Sequence, residues 1–242
     1  MSRIDILLFD VLGTVVDWRG SITAELSAFL HRHGAQTVDA AALADDWVGR
    51  YDPAVDAIRA GRRDFVPLDV LNLETLHKSL TDFGIATEAI PPSELETLNA
   101  AWHRLAPWPD SVEGLTRLKS QFVIAPLSDG GTRMLVNMAK HSGLPWDVVL
   151  GADIPQAYKP MPEVYLRACA LLGTPPGNAM LVAAHDYDLS AAQACGLQTA
   201  FVSREGAADP SKAGNLKPTG KWNYEVRSLT ALADRLMGPA PA

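Results

Sequence analysis

Ile6-Leu7-Leu8-Phe9-Asp10-Val11-Leu12-Gly13-Thr14-Val15-Val16-Asp17 runs four apolar residues straight into an acid, with a glycine three positions later. A continuous apolar run bounded by a turn signal reads as a buried strand of a parallel sheet. Ligands of such sheets bind at the carboxyl ends of the strands, so Asp10 stands where chemistry is usually done. Leu12-Gly13-Thr14 reads as the turn leaving the strand, bringing backbone N–H groups towards the Asp10 carboxylate. From this stretch alone Asp10 is either a functional acid or the cap of a turn after a core strand.

Working outward, residues 21–98 read almost wholly as helix. Apolar positions recur at helical spacing in 40–51, 54–60, 68–83 and 93–105, with Ser21 or Thr23 placed to cap a first helix over 24–32 that stops at Gly34. Pro107-Trp108-Pro109-Asp110 then punctuates the chain. Beyond it, helix and strand alternate. Helices are expected over 111–120, 134–141, 162–172, 189–195 and 228–236. Strands are expected over 122–128, 148–152, 180–184 and 198–202, and 204–226 reads as a loop. Such alternation makes a parallel sheet with crossover helices. The expected class is therefore α/β, a Rossmann-like core over residues 1–17 and 106–242 with a helical cap, 18–105, inserted after the first strand.

Composition agrees with an ordinary globular enzyme: of 242 residues, 48% are hydrophobic and 20% charged. A net charge of −7 gives no basic footprint for nucleic acid or an anionic membrane. No apolar run approaches the ~18 residues of a membrane span. Residues 1–5 carry no signal-peptide pattern, and Cys169 and Cys195 lie in helix-like apolar settings that suit free thiols, so a cytoplasmic enzyme is expected.

Each expected core strand ends in polar residues: Asp10 and Thr14, then Ser128 and Asp129, then Lys159 in Lys-Pro-Met-Pro, then His185, Asp186 and Asp188. Over residues 4–203, apart from the insert, this set resembles the haloacid dehalogenase superfamily. Phosphatases of that superfamily carry a second aspartate two residues after the first as general acid. Here that place is Leu12, and a leucine cannot protonate a leaving alkoxide. The resemblance is therefore to the L-2-haloacid dehalogenase branch. It implies that Asp10 is a nucleophile that displaces the substituent at C2 of a small carboxylic acid and forms an ester. It further implies that Thr14 and Ser128 contact the nucleophile or the substrate carboxylate, that Lys159 keeps Asp10 ionised, that Tyr165 is bonded into this network, and that Asp188 holds Lys159 and helps to place the hydrolytic water. No cofactor and no metal is expected, and a homodimer through the cap is the expected assembly. Ser128, Lys159, Tyr165 and His185 also admit blander roles as turn hydroxyl, surface lysine, core ring and strand-end imidazole.

The chain departs from the pattern in a chemically coherent way. Asp129 replaces the asparagine that donates to the departing halide, and the cap arginine expected shortly after Trp47 is shifted to Arg50 or missing. An ionised Asp129 only accepts hydrogen bonds and repels an anion, whereas an ammonium leaving group is drawn to it. With Asp186 adding to that charge, the sequence favours an amine leaving group, as in azetidine-2-carboxylate hydrolase, with halide release by an (S)-2-haloacid dehalogenase as the alternative. Leu12, Trp47, Arg50, Asp129, Tyr165, His185 and Asp186 are the expected substrate-binding residues.

Overall fold

The computed structural model describes residues 3–204 and 218–238. Its central sheet is wholly parallel, in the order β4 (Val123–Pro126), β1 (Ile6–Phe9), β5 (Ala179–Ala183), β6 (Gln198–Val202), β7 (Tyr224–Val226). All four residues of β1 and all five of β5 are buried, as the uninterrupted apolar runs require of strands covered on both faces. One layer beside the sheet holds Phe9, Leu115, Met134 and Leu229; the other holds Leu8, Tyr165, Leu181 and Phe201. Helices α6 (Ser111–Lys119), α7 (Thr132–Ser142), α8 (Pro162–Leu171), α9 (Asp186–Ala194) and α10 (Leu229–Met237) form these layers.

After β1 the chain makes a two-residue strand, β2 (Val16–Asp17), that pairs antiparallel with β3 (Ala106–Pro107). Between them lie α1 (Trp18–Arg32), α2 (Ala40–Gly49), α3 (Tyr51–Arg59), α4 (Leu68–Asp82) and α5 (Pro92–Asn99). The intervening helices therefore leave and rejoin the sheet layer at adjacent points. Their shared core includes Ile22, Leu26, Trp47, Leu76 and Trp102.

The structure corrects three expectations, over 24–32, 148–152 and 204–226. The first helix begins at Trp18, because Asp17 accepts from the Gly20 N–H at 2.9 Å and caps it; Ser21 instead donates back to the Asp17 carbonyl. Residues 148–152 do not form a strand: they touch the sheet through a single bridge, Leu150 to Leu127. The segment is too short of ladder partners to do more, although its composition is strand-like. The ribbon of β2 and β3 and the strand β7 are further elements that sequence patterning passed over; the loop expected over 204–226 contains β7 at its end, and its residues 205–217 lie outside the described part. Cys169 and Cys195 are free thiols.

Candidate active site

Strands β4, β1 and β5 are neighbours, so the residues that follow them converge at one edge of the sheet. Asp10 follows the last residue of β1 and is 6% exposed. Its Oδ1 accepts from Lys159 Nζ at 2.9 Å; its Oδ2 accepts from Thr14 Oγ1 at 2.6 Å and lies 3.0 Å from His185 Nδ1. The Ala184 N–H donates to Thr14 Oγ1 at 2.8 Å, which leaves the hydroxyl proton to point at Asp10. Gly13, at φ +84°, makes the turn; a Cβ there would stand 3.2 Å from His185 Cε1, so the turn also needs a residue with no side chain.

Lys159 is 1% exposed and bridges two acids, giving its second bond to Asp188 Oδ2 at 2.5 Å. Tyr165 lies behind the pair and donates to Asp188 Oδ1 at 2.6 Å. Burial alone pushes the Asp10 carboxyl up, but the Lys159 ammonium, His185 and Thr14 outweigh it and hold the group well below the usual carboxylate range. Burial works against the charge on Lys159 too; the carboxylates of Asp10, Asp188 and Asp129 prevail and raise its ammonium above the ordinary lysine value. Burial pushes the Asp188 carboxyl up, with the Asp10 charge adding and Lys159 opposing.

Asp10, Leu12, Ser128, Asp129 and His185 line one pocket. Ser128 Oγ accepts from the Gly130 N–H at 3.2 Å, which leaves its proton for a ligand. Asp129 accepts at both oxygens: from the Lys159 backbone N–H at 2.9 Å and from the Tyr51 hydroxyl at 2.5 Å. Burial and then the Asp129 charge raise the Tyr51 phenol well above its ordinary value, so it remains a donor.

Four expected substrate-binding residues are absent from the pocket wall, Tyr165 among them because it stands behind the Lys159–Asp188 pair and is bonded to Asp188. Trp47 is packed inside the helical segment, its Nε1 donating to the Asn72 carbonyl at 2.9 Å and its ring edge-on to Trp102 at 5.4 Å. Arg50 ends α2, where its guanidinium is spent on Asp46 at 2.8 Å and Asp82 at 2.6 Å. Asp186 opens α9 and turns away: its oxygens take the Thr219 N–H at 2.7 Å, the Thr219 hydroxyl at 2.6 Å and Trp222 Nε1 at 3.0 Å. No cationic side chain from the helical segment lines the pocket among the described residues.

The helical segment supplies instead Trp18, Val48, Tyr51, Leu68, Asn72 and Trp102, and the start of α9 adds Tyr187. None of these seven is among the expected site residues. Only one pair carries a spacing signal: Leu68 and Asn72 stand four apart on one face of α4, whereas Val48 lies near the end of α2 and Tyr51 opens α3. Asn72 is the notable polar member. It is 8% exposed, and its side-chain amide makes no hydrogen bond among the described residues.

A family model for haloacid dehalogenase-like hydrolases matches residues 4–196. The chain belongs to the haloacid dehalogenase-like hydrolases. This hydrolase is 47% identical to the defluorinating L-2-haloacid dehalogenase Rha0230; the two superpose with a TM-score of 0.93 over 96% of this chain and 95% of that one. It is 39% identical to the L-2-haloacid dehalogenase PA0810, with a TM-score of 0.90 over 96% and 98%. Among curated relatives, (S)-2-haloacid dehalogenase 4A of Burkholderia cepacia is 34% identical over 140 residues, covering 57% of this chain and 58% of that relative. The chain thus spans less than two thirds of that relative's length. Within the family fold, this hydrolase keeps an acid, Asp129, in a pocket whose helical side is aromatic and apolar apart from Asn72.

Proposed function

We propose that this hydrolase is an (S)-2-haloacid dehalogenase that releases halide and forms a 2-hydroxy acid. The observation that carries the reading is Asp10, in the wall of a pocket, held ionised by a buried, shared Lys159. Its 47% identity to a defluorinating L-2-haloacid dehalogenase supports it. The amine leaving group favoured by the sequence has no such support. Asp129, whose charge motivated it, is tied at both oxygens to Tyr51 and Lys159. Asp186, the second acid, faces Thr219 and Trp222.

In this reading Asp10 attacks C2 and the halide leaves with its electron pair, giving an aspartyl ester. Ser128 and the turn at Leu12 hold the substrate carboxylate. The Asn72 amide takes over as an N–H donor to the halide from the helical side, in place of the family's amide at position 129. Water then adds to the Asp10 carbonyl carbon and gives a proton to Asp188, whose raised pKa suits a base. Lys159 relays that proton to the departing alkoxide, the ester C–O bond breaks, and the hydroxy acid leaves carrying an oxygen that began on Asp10. The restored carboxyl of Asp10 loses its remaining proton to solvent.

The test is a substrate panel: both enantiomers of 2-chloropropionate, 2-fluoropropionate, azetidine-2-carboxylate and p-nitrophenyl phosphate, with and without EDTA. The expected result is halide release from the (S)-haloacids, undiminished by EDTA. One displacement at C2 inverts it, so the product is (R)-lactate. Turnover of azetidine-2-carboxylate alone, or phosphatase activity that needs Mg2+, overturns the reading.

A further inference from the structure

The two oxygens of Asp10 sit in different surroundings. A carboxylate oxygen offers two acceptor positions. Oδ2 has both filled, by Thr14 Oγ1 at 2.6 Å and His185 Nδ1 at 3.0 Å. Oδ1 has one filled, by Lys159 Nζ at 2.9 Å, and keeps a lone pair open among the described residues. The directions of these bonds are fixed by chemistry. An ionised carboxylate only accepts, so His185 carries its proton on Nδ1 in this pair. Thr14 receives the Ala184 N–H at 2.8 Å, which turns its own proton to Asp10. His185 is buried at 7% exposure at the end of β5, and Gly13 at φ +84° clears the space that its ring occupies.

We propose that Oδ1 is the attacking oxygen and that His185 Nδ1–H and Thr14 Oγ1–H form the oxyanion site for hydrolysis of the ester. The inference rests on the dehalogenase reading above. The Oδ1–C2 bond forms as the carbon–halogen bond breaks, and the halide takes the electron pair. Oδ2 is then the ester carbonyl oxygen. Water adds to the carbonyl carbon and its proton goes to Asp188; the electron pair of the C=O bond moves onto Oδ2, where two donors already point. Collapse restores that bond and expels the alkoxide through Oδ1, which takes its proton from Lys159. His185 is thus a catalytic residue of the second half-reaction; in the first it only assists Lys159 in keeping Asp10 ionised.

Rapid quench with (S)-2-chloropropionate tests this, reading chloride, lactate and the mass of the quenched protein separately. His185→Leu should release one chloride per site within about tenfold of the wild-type rate, because Oδ1 is untouched. Its later turnovers should then slow by about 10²–10³, the usual cost of one oxyanion donor. The ester should accumulate on the protein. His185→Asn returns an N–H close to the Nδ1 position and should recover most of the lost hydrolysis. Thr14→Val should accumulate ester as well, and decides the matter if His185→Leu does not fold. If chloride and lactate slow together and no ester builds up, the oxyanion site is overturned while the halide reading stands. If the wild type releases no chloride at all, both fall.

Discussion

The Tyr51 hydroxyl donates to Asp129 Oδ2 at 2.5 Å, joining the first residue of α3 to the loop that follows β4. The same carboxylate takes the Lys159 backbone N–H on its other oxygen, so one acid aligns the helical side of the pocket with the loop that carries the lysine. Asp129→Asn can keep both links, by accepting from Lys159 and donating to the phenol oxygen; turnover of (S)-2-chloropropionate should stay within about tenfold of wild type. Asp129→Leu strands both donors, each at about 1–3 kcal/mol. It should lower Tm and reduce kcat/KM far more than the amide. Equal activity in the two variants would reduce the Tyr51 link to an incidental contact.

Oxygen-18 follows the ester. In a single turnover in labelled water, the lactate should be unlabelled and the label should appear in the peptide containing Asp10. Over many turnovers the label should reach the product. Label in the lactate of the first turnover would mean that water attacks C2 directly. Asp10→Asn should abolish both signals, since an amide is no comparable nucleophile.

Lys159→Met removes the charge shared by Asp10 and Asp188. Breaking a buried pair from one side costs about 3–5 kcal/mol, so a lower Tm is expected together with a rate loss of several orders of magnitude. A folded variant with near-normal chloride release would show that Asp10 needs no lysine.

The pH response follows from the directions of the shifts. Asp10 has a folded pKa below its unfolded value near 4, so its stabilisation is full above about pH 4 and is lost as pH falls through the lower folded value. Lys159 is shifted upward, so its share is full below about pH 10.4 and is lost as pH rises through the higher folded value. Asp188, raised by burial, opposes part of this above its unfolded value. The chloride burst, which needs only the Asp10–Lys159 pair, should therefore stay level between about pH 5 and about pH 10. A burst that titrates near neutrality would assign the first step to another group.

The core was legible because its strands are short apolar runs ending in chemistry. Ile6–Phe9 and Ala179–Ala183 are covered on both faces, and sequence shows that as unbroken hydrophobicity. Residues 148–152 have the same look, but only Leu150 reaches the sheet; pairing is a tertiary fact that composition does not record. Asp10, Thr14, Ser128, Lys159, Tyr165, His185 and Asp188 stood out by type and place. Trp47, Arg50 and Asp186 also stood out, yet each is satisfied elsewhere, by Asn72, by Asp46 and Asp82, and by Thr219 and Trp222. Tyr51 and Asn72 were passed over because a helix face points at a pocket only after the helices have packed.

The indoles of Trp18 and Trp102 stack at 6.3 Å on the pocket wall, with Trp47 edge-on behind them. Half of the six tryptophans of the chain are therefore gathered in and behind the wall of this one pocket. Heavy halides quench indole emission on contact, so this cluster serves as a built-in optical reporter. Bromide or iodide entering the pocket should dim the protein's own fluorescence, which makes anion occupancy measurable without any chemistry taking place.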